Sequence, residues 1–140
     1  MIYLPDTNAC VQFLRGRDEA LVSRWLEEAP SLRLSAIVVA ELHYGVAKLA
    51  LMEVPAAAKT REGRRVEQLV GSLPCERFTE ADAVAYGRLR ARLERQGAPV
   101  GPSDLLIAAQ ALRLRAVLVT HNTAEFARVP DLKIEDWQAR

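Results

Sequence analysis

A parallel β-sheet covered by helices on both faces is the architecture this sequence predicts, and three observations carry it. The opening run Ile2-Tyr3-Leu4-Pro5 and the later run Val117-Leu118-Val119 read as short strands buried on both faces. Each run ends in polar residues, Asp6-Thr7-Asn8 in the first case and Thr120-His121-Asn122-Thr123 in the second. Between them, stretches of helical periodicity alternate with short strand-like stretches, the pattern of strands joined by crossover helices. The 140 residues suffice for one domain, 1–140, with a real core. No internal repeat, low-complexity stretch or long linker divides it.

Composition narrows the class. Half the residues are hydrophobic and 26% are charged, an ordinary globular mixture. The formal net charge is +1, from 19 basic and 18 acidic residues, so no global basic field announces a nucleic-acid partner. Local patches remain open. Cys10 and Cys75 have no metal-ligand spacing, and two thiols in such a chain point to a reducing compartment. No basic region precedes a long apolar stretch at the N-terminus, and no run approaches the length of a membrane span, about 18 residues. A soluble, cytoplasmic protein is expected.

The elements follow in order. A helix over 9–15 places Val11 and Leu14 at helical spacing, and Gly16 ends it. Asp18 opens a second helix whose stripe is Leu21, Val22, Trp25 and Leu26, and Pro30 stops it. Leu32-Arg33-Leu34 reads as a short strand, with Ser35 as N-cap of a helix over 36–49. Pro55 starts another helix at its first turn, with Val66, Leu69, Val70 and Leu73 inside and Lys59, Arg61, Arg64 and Arg65 outside. Residues 75–78 read as a short strand. Thr79 and Asp82 have capping-box spacing, and the helix they open runs to about Gln96, closed by Gly97. The proline-bearing loop over 98–104 delivers Ser103 and Asp104 to an apolar helix. The run Val117-Leu118-Val119 follows, then a short helical turn at Glu125 and Phe126, then an edge strand over 132–134.

Three acids stand out within this frame. Asp6 sits where the first strand ends, the place where open α/β sheets bind ligands, although Asp6, Thr7 or Asn8 would equally serve as a helix cap. Glu41 interrupts an apolar helix face: Ile37, Val38, Tyr44 and Gly45 are its helical neighbours, and none can pair with it. An ionised carboxylate there must reach water, a distant arginine or a metal. Asp104 heads its helix, where the dipole favours an acid by about 0.5 kcal/mol whether or not it is also a ligand. Carboxylates gathered on one rim repel one another unless a cation neutralises them. An oxygen-only set suits Mg²⁺ or Mn²⁺ rather than zinc.

Four stretches together resemble PIN-domain ribonucleases, and specifically the VapC toxins of bacterial toxin–antitoxin pairs. They are Leu4-Pro5-Asp6-Thr7-Asn8, Ser35-Ala36-Ile37-Val38-Val39-Ala40-Glu41-Leu42, Gly101-Pro102-Ser103-Asp104-Leu105-Leu106-Ile107-Ala108-Ala109, and Leu118-Val119-Thr120-His121-Asn122-Thr123-Ala124-Glu125-Phe126. The ending Ile134-Glu135-Asp136-Trp137 is also similar. The resemblance implies a PIN-like three-layer α/β fold, with a parallel sheet of four to five strands and about seven helices. It implies a metal-dependent endoribonuclease, an RNA substrate such as transfer RNA, a homodimer and a VapB-type antitoxin. Asp6, Glu41 and Asp104 would be the catalytic acids that hold the Mg²⁺ or Mn²⁺ ion. Thr7 would orient Asp6 or contact a phosphate, with Asn8, Ser103 and Thr120 as further phosphate contacts. Asn122 stands where many members carry Asp. It would ligate through its carbonyl while Glu125 supplies the fourth carboxylate, or else a second metal is weak or absent.

Two other classes compete. An aspartyl-phosphate phosphatase would want a second Asp two residues after Asp6, where Asn8 stands, and a helper lysine. A partner-binding α/β domain would use its acids only for a structural ion. On the toxin reading, an antitoxin would insert Arg or Lys into the acidic pocket and lie along exposed apolar residues around Phe13, Leu21 and Trp25.

Overall fold

The computed structural model describes residues 1–139. Its elements are β1 (Tyr3–Pro5), α1 (Thr7–Arg15), α2 (Glu19–Glu28), a 3-10 turn at Ala29–Ser31, β2 (Leu34–Ser35), α3 (Ala36–Ala50), α4 (Ala56–Ser72), β3 (Cys75–Glu76), α5 (Glu80–Arg95), α6 (Pro102–Leu114), β4 (Val117–Val119), α7 (Thr123–Phe126) and β5 (Lys133–Glu135). Seven α-helices accompany five short strands, as the resemblance implies.

Every strand pair is parallel. β1, β4 and β5 form one sheet, with Leu4 opposite Leu118 and Leu118 opposite Ile134. β2 and β3 form a second, pairing Leu34 with Cys75. A bridge between Tyr3 and Leu32 and a bond from Arg33 N to Tyr3 O at 3.0 Å join the two. The spatial order is therefore β3-β2-β1-β4-β5, and β1 lies at the centre. Pro5 ends that central strand, where its missing N–H costs the ladder least. Leu4, Leu34 and Leu118 are fully buried. Each contributes about 1.5–3 kcal/mol of hydrophobic burial.

Local chemistry sets the helix ends. Asp18 Oδ1 accepts from Leu21 N at 3.1 Å, Ser35 Oγ from Ile37 N at 3.1 Å, and Thr79 and Asp82 complete a reciprocal capping box. Gly16 and Gly97 adopt the left-handed conformation, φ 68° and 70°, that terminates a helix cheaply only in glycine. α5 packs along α6, where the buried Asp82 carboxylate meets the solvent-reaching Arg113 guanidinium. Gln110 donates to the carbonyls of Glu76 and Arg77, both at 3.0 Å, and anchors α6 to the chain after β3.

Small departures from the sequence reading have local causes. α1 starts at Thr7 rather than Ala9, because Asp6 itself caps it. α6 starts at Pro102, which suits the first turn, so Asp104 lies inside the helix. β3 stops at Glu76 and β5 begins one residue later than expected.

Candidate active site

Parallel register brings the strand ends to one rim. Asp6 N donates to Val119 O at 2.9 Å, and Thr120 N donates to Glu135 O at 2.9 Å. Asp6, Thr120 and Asp136 thus follow β1, β4 and β5 side by side. Asp6 is 5% exposed, and its Oδ1 accepts from Ala9 N at 2.8 Å. The carboxylate that caps α1 also lines a pocket at the rim. Burial pushes its pKa up, the Thr120 hydroxyl and the Ala9 N–H partly offset the rise, and the Asp136 charge adds to it.

Two helices bring the other acids. Ser35 starts α3 at the end of β2, so Glu41 arrives in the second turn, half-buried and with no ion-pair partner among the described residues. Asp104 lies in the first turn of α6, half-buried. Its pKa is pushed up to about 6, first by burial and then by the charges of Glu125, Asp6 and Glu41. Acids from three separate elements therefore act on one another. With Thr7, Asn8, Val11 and Asn122 they line a pocket of about 350 Å³.

The remaining sequence candidates divide. Thr7 lines the pocket, and its hydroxyl is buried without a hydrogen-bond partner. Asn8 lines the pocket and is exposed. Ser103 is exposed and lies off the pocket wall. Thr120 is buried behind the rim, where its hydroxyl accepts from Asn122 N at 3.0 Å and supports Asp6. Glu125 also lies behind the wall. Its Oε1 accepts from Gly101 N at 2.7 Å and its Oε2 from Asn122 Nδ2 at 2.6 Å, and these bonds hold its carboxyl below the ordinary range. It ties α7 to the start of α6 and orients the Asn122 amide. His43 is exposed; His121 is exposed too, with Nδ1 3.0 Å from Asp136 Oδ2.

Asp136 and Gly101 escaped the sequence reading as site residues. An acid directly after β5 repeats the strand-then-acid pattern of Asp6, which is the signal that could have found Asp136. Nothing local marks Gly101, whose partner Glu125 is 24 residues away.

The expected docking patch around Phe13, Leu21 and Trp25 is not on the surface. Leu21 and Trp25 are 0% and 3% exposed, and Phe13 stacks on Trp25 with ring centroids 4.3 Å apart. α1 and α2 turn these faces toward one another. A groove of about 570 Å³ opens elsewhere, between α1, α3 and α4, with Val11, Leu14, Val46 and Leu49 on its walls. It shares Thr7, Val11 and Glu41 with the acidic pocket.

The donor set is tested against a metal by its chemistry. Among the described residues, no three His, Cys, Asp or Glu side chains are already gathered closely enough to hold an ion. The acids ring the pocket instead. The ring is all oxygen, three carboxylates with the Asn122 amide and the unpartnered Thr7 hydroxyl, and its mutual repulsion is the kind a hard dication relieves. The residues fit Mg²⁺ or Mn²⁺ and offer no soft ligand. No lysine lines the pocket, so the helper of an aspartyl-phosphate phosphatase is missing there.

Known proteins resemble this chain along nearly its whole length. Residues 3–132 match the family model described as PIN domain. "Ribonuclease VapC2" of Rickettsia felis is 34% identical over 139 residues, 98% of each chain. "tRNA(fMet)-specific endonuclease VapC" of Salmonella typhimurium is 33% identical over 135 residues, 96% of this chain and 97% of that protein. The crystal structure of VapBC2 from Rickettsia felis bound to a DNA fragment from its promoter superposes with a TM-score of 0.86 at 34% identity, covering 99% of this chain and 100% of that one.

Proposed function

This chain belongs to the PIN-domain family, and from that premise we propose that it is a VapC-type toxin: a metal-dependent endoribonuclease neutralised by a VapB-type antitoxin. The observation that carries the reading is the convergence of Asp6, Glu41 and Asp104 from three elements on one pocket, where the other two acids raise the cost of charging Asp104. Mg²⁺ or Mn²⁺ held there supplies an activated water and charge stabilisation for the leaving oxygen of a phosphodiester.

The chain's own residues have separable roles. Asp6, Glu41 and Asp104 hold the ion and are the catalytic acids, with the Asn122 carbonyl as a neutral fourth donor. Asp6 is fixed by the α1 N-terminus and Thr120, so its carboxylate needs no reorganisation. Asn8, exposed at the head of α1, offers an amide donor to a substrate phosphate, and the buried Thr7 hydroxyl lies beside Asp6 in the same wall. Glu125 acts through others, holding Gly101 at the start of α6 and the Asn122 amide in place. Ser103 and Thr120 stand too far from the pocket wall, or too deep, to lead in phosphate binding.

The relatives' names support RNA as substrate, and transfer RNA as the class to try first. Complexes of such relatives with VapB-type proteins support the antitoxin, which would neutralise the site by inserting a basic side chain among its acids. We assign the chain to the cytoplasm and to a homodimer. No helix among the described residues is long and apolar enough to cross a membrane.

The test is made in a bacterial host. Induction of this chain alone should arrest growth and fragment a transfer RNA; co-expression of its cognate VapB-type antitoxin should restore growth. Normal growth with an intact RNA pool at high expression would contradict the reading.

A further inference from the structure

Among the described residues, four arginines are committed to carboxylates, and of the rest one row stands beside a cleft. Arg24, Arg33, Arg90 and Arg113 each meet a carboxylate of another residue and are structural. Arg61, Arg64 and Arg65 on α4 meet none among the described residues, and all three are exposed. Their spacing of three and four residues places them along one helix face. With Gln68 they line a cleft of about 490 Å³. Arg65 also lines the neighbouring groove between α1, α3 and α4, together with Arg15 and Lys48, and that groove opens into the acidic pocket. A continuous trough thus runs from the acids to a row of uncommitted cations. Among the described residues, Glu62 is the one acid along it beyond the pocket.

A second feature lies where the trough meets the acids. Tyr44 follows Glu41 by three residues on α3, lines the groove, and is 65% exposed. A large aromatic ring held out to solvent beside a nuclease pocket is the platform on which an unpaired base stacks. Cations spaced along a groove, with an aromatic at one end, are the two components of single-stranded nucleic-acid binding.

We propose that this trough is the path of single-stranded RNA out of the acidic pocket, with a base stacked on Tyr44 and the following phosphates neutralised by Arg65, Arg64 and Arg61. The inference rests on the ribonuclease reading above. It explains how a chain of net charge +1 can hold a polyanion: the charge is local. It also makes the strand that continues from the cut the one that must be unpaired, because a base in a duplex cannot reach the Tyr44 ring.

The experiment uses the full chain without divalent ion, so that binding is read without cleavage. A fluorescein-labelled single-stranded RNA of mixed sequence is titrated at several salt concentrations. R61Q/R64Q/R65Q should weaken binding at least tenfold and reduce the slope of log K against log salt by about 2, because each of the three phosphates left without its arginine accounts for about 0.7. Tyr44→Ala should weaken binding on the order of tenfold and leave the slope unchanged, and Tyr44→Phe should restore it. Thermal melts check that each variant is folded. Binding within twofold of the unmodified chain, with an unchanged slope, would overturn the path. Variants that bind RNA normally but lose the antitoxin would assign the trough to that protein and overturn it too. The two readings fail separately: an unmodified chain that cuts RNA with Mg²⁺ while the variants bind normally removes only the path, whereas one that neither binds nor cuts RNA removes the ribonuclease reading with it.

Discussion

Asp104→Asn should make the metal-free protein more stable at neutral pH. The ordinary Asp104 carboxyl would titrate near 3.8, and burial with the charges of Glu125, Asp6 and Glu41 moves it to about 6. At about 1.36 kcal/mol per pH unit, that disfavours the charged form by about 3 kcal/mol. Solvent reaching the half-exposed head screens this to about 1–2 kcal/mol. The sign follows from proton binding. Between 3.8 and about 6 the folded state binds the proton more tightly than the unfolded chain does. Wild-type stability therefore falls as pH rises through that window, and the deficit is complete above it. The neutral amide escapes the penalty. Thermal melts in EDTA should show Asp104→Asn melting higher by about 3–6 °C at pH 7.5, for a domain of this size. The gap should close as pH drops to 4. A variant no more stable than wild type at pH 7.5, or a gap independent of pH, would refute this account of the pocket. Added Mg²⁺ should reverse the order, since an ion that binds only the intact site stabilises the wild type by mass action.

Asp6→Asn should keep the α1 cap, because Asn caps as well as Asp, and since burial and the Asp136 charge also disfavour its charged form, its metal-free melting temperature at pH 7.5 should equal or exceed wild type. Asp6→Ala should lose about 1 kcal/mol, and a urea titration of the two variants separates them. Glu125→Ala strands the Gly101 N–H and should cost about 1–3 kcal/mol while lowering kcat through Asp104. Glu125→Gln, which keeps one carbonyl acceptor, should recover most of the stability; full loss of stability in Glu125→Gln would show that charge rather than hydrogen bonding holds α6. Arg113→Ala removes one of the two partners of the Asp82 carboxylate, which keeps its bond from Thr79 N, and should destabilise the protein by about 1–3 kcal/mol, with RNA cleavage per folded molecule unchanged.

How much was legible depended on whether the information was local. Val117-Leu118-Val119 and the run around Leu4 announce buried strands because a continuous apolar stretch has few other homes. Ser35, Asp18 and the Thr79–Asp82 pair announce helix starts because the capping atoms lie within three residues of the N–H they serve. Asp6, Glu41 and Asp104 were legible as acids out of place, and their convergence followed once the strands were parallel. What a helix face packs against was not legible. The stripe of Leu21 and Trp25 reads the same whether it is core or a docking surface, and only the α1–α2 packing decides for core. Glu125 read as a fourth site carboxylate because its bond to Gly101 spans 24 residues and leaves no periodic trace. The α4 arginines read as a solvated face, since the cleft they line beside the groove of α1, α3 and α4 is a matter of packing that helix periodicity does not show.

Whether the pocket of Asp6, Glu41 and Asp104 cuts RNA with a divalent ion is decided most directly by one cleavage assay. The purified chain should be incubated with total transfer RNA in Mg²⁺, in Mn²⁺ and in EDTA, beside the folded Asp6→Asn protein at equal concentration. Discrete fragments with either metal, none in EDTA and none from Asp6→Asn are the predicted result. Cleavage by Asp6→Asn at the wild-type rate, or cleavage undiminished by EDTA, would contradict it.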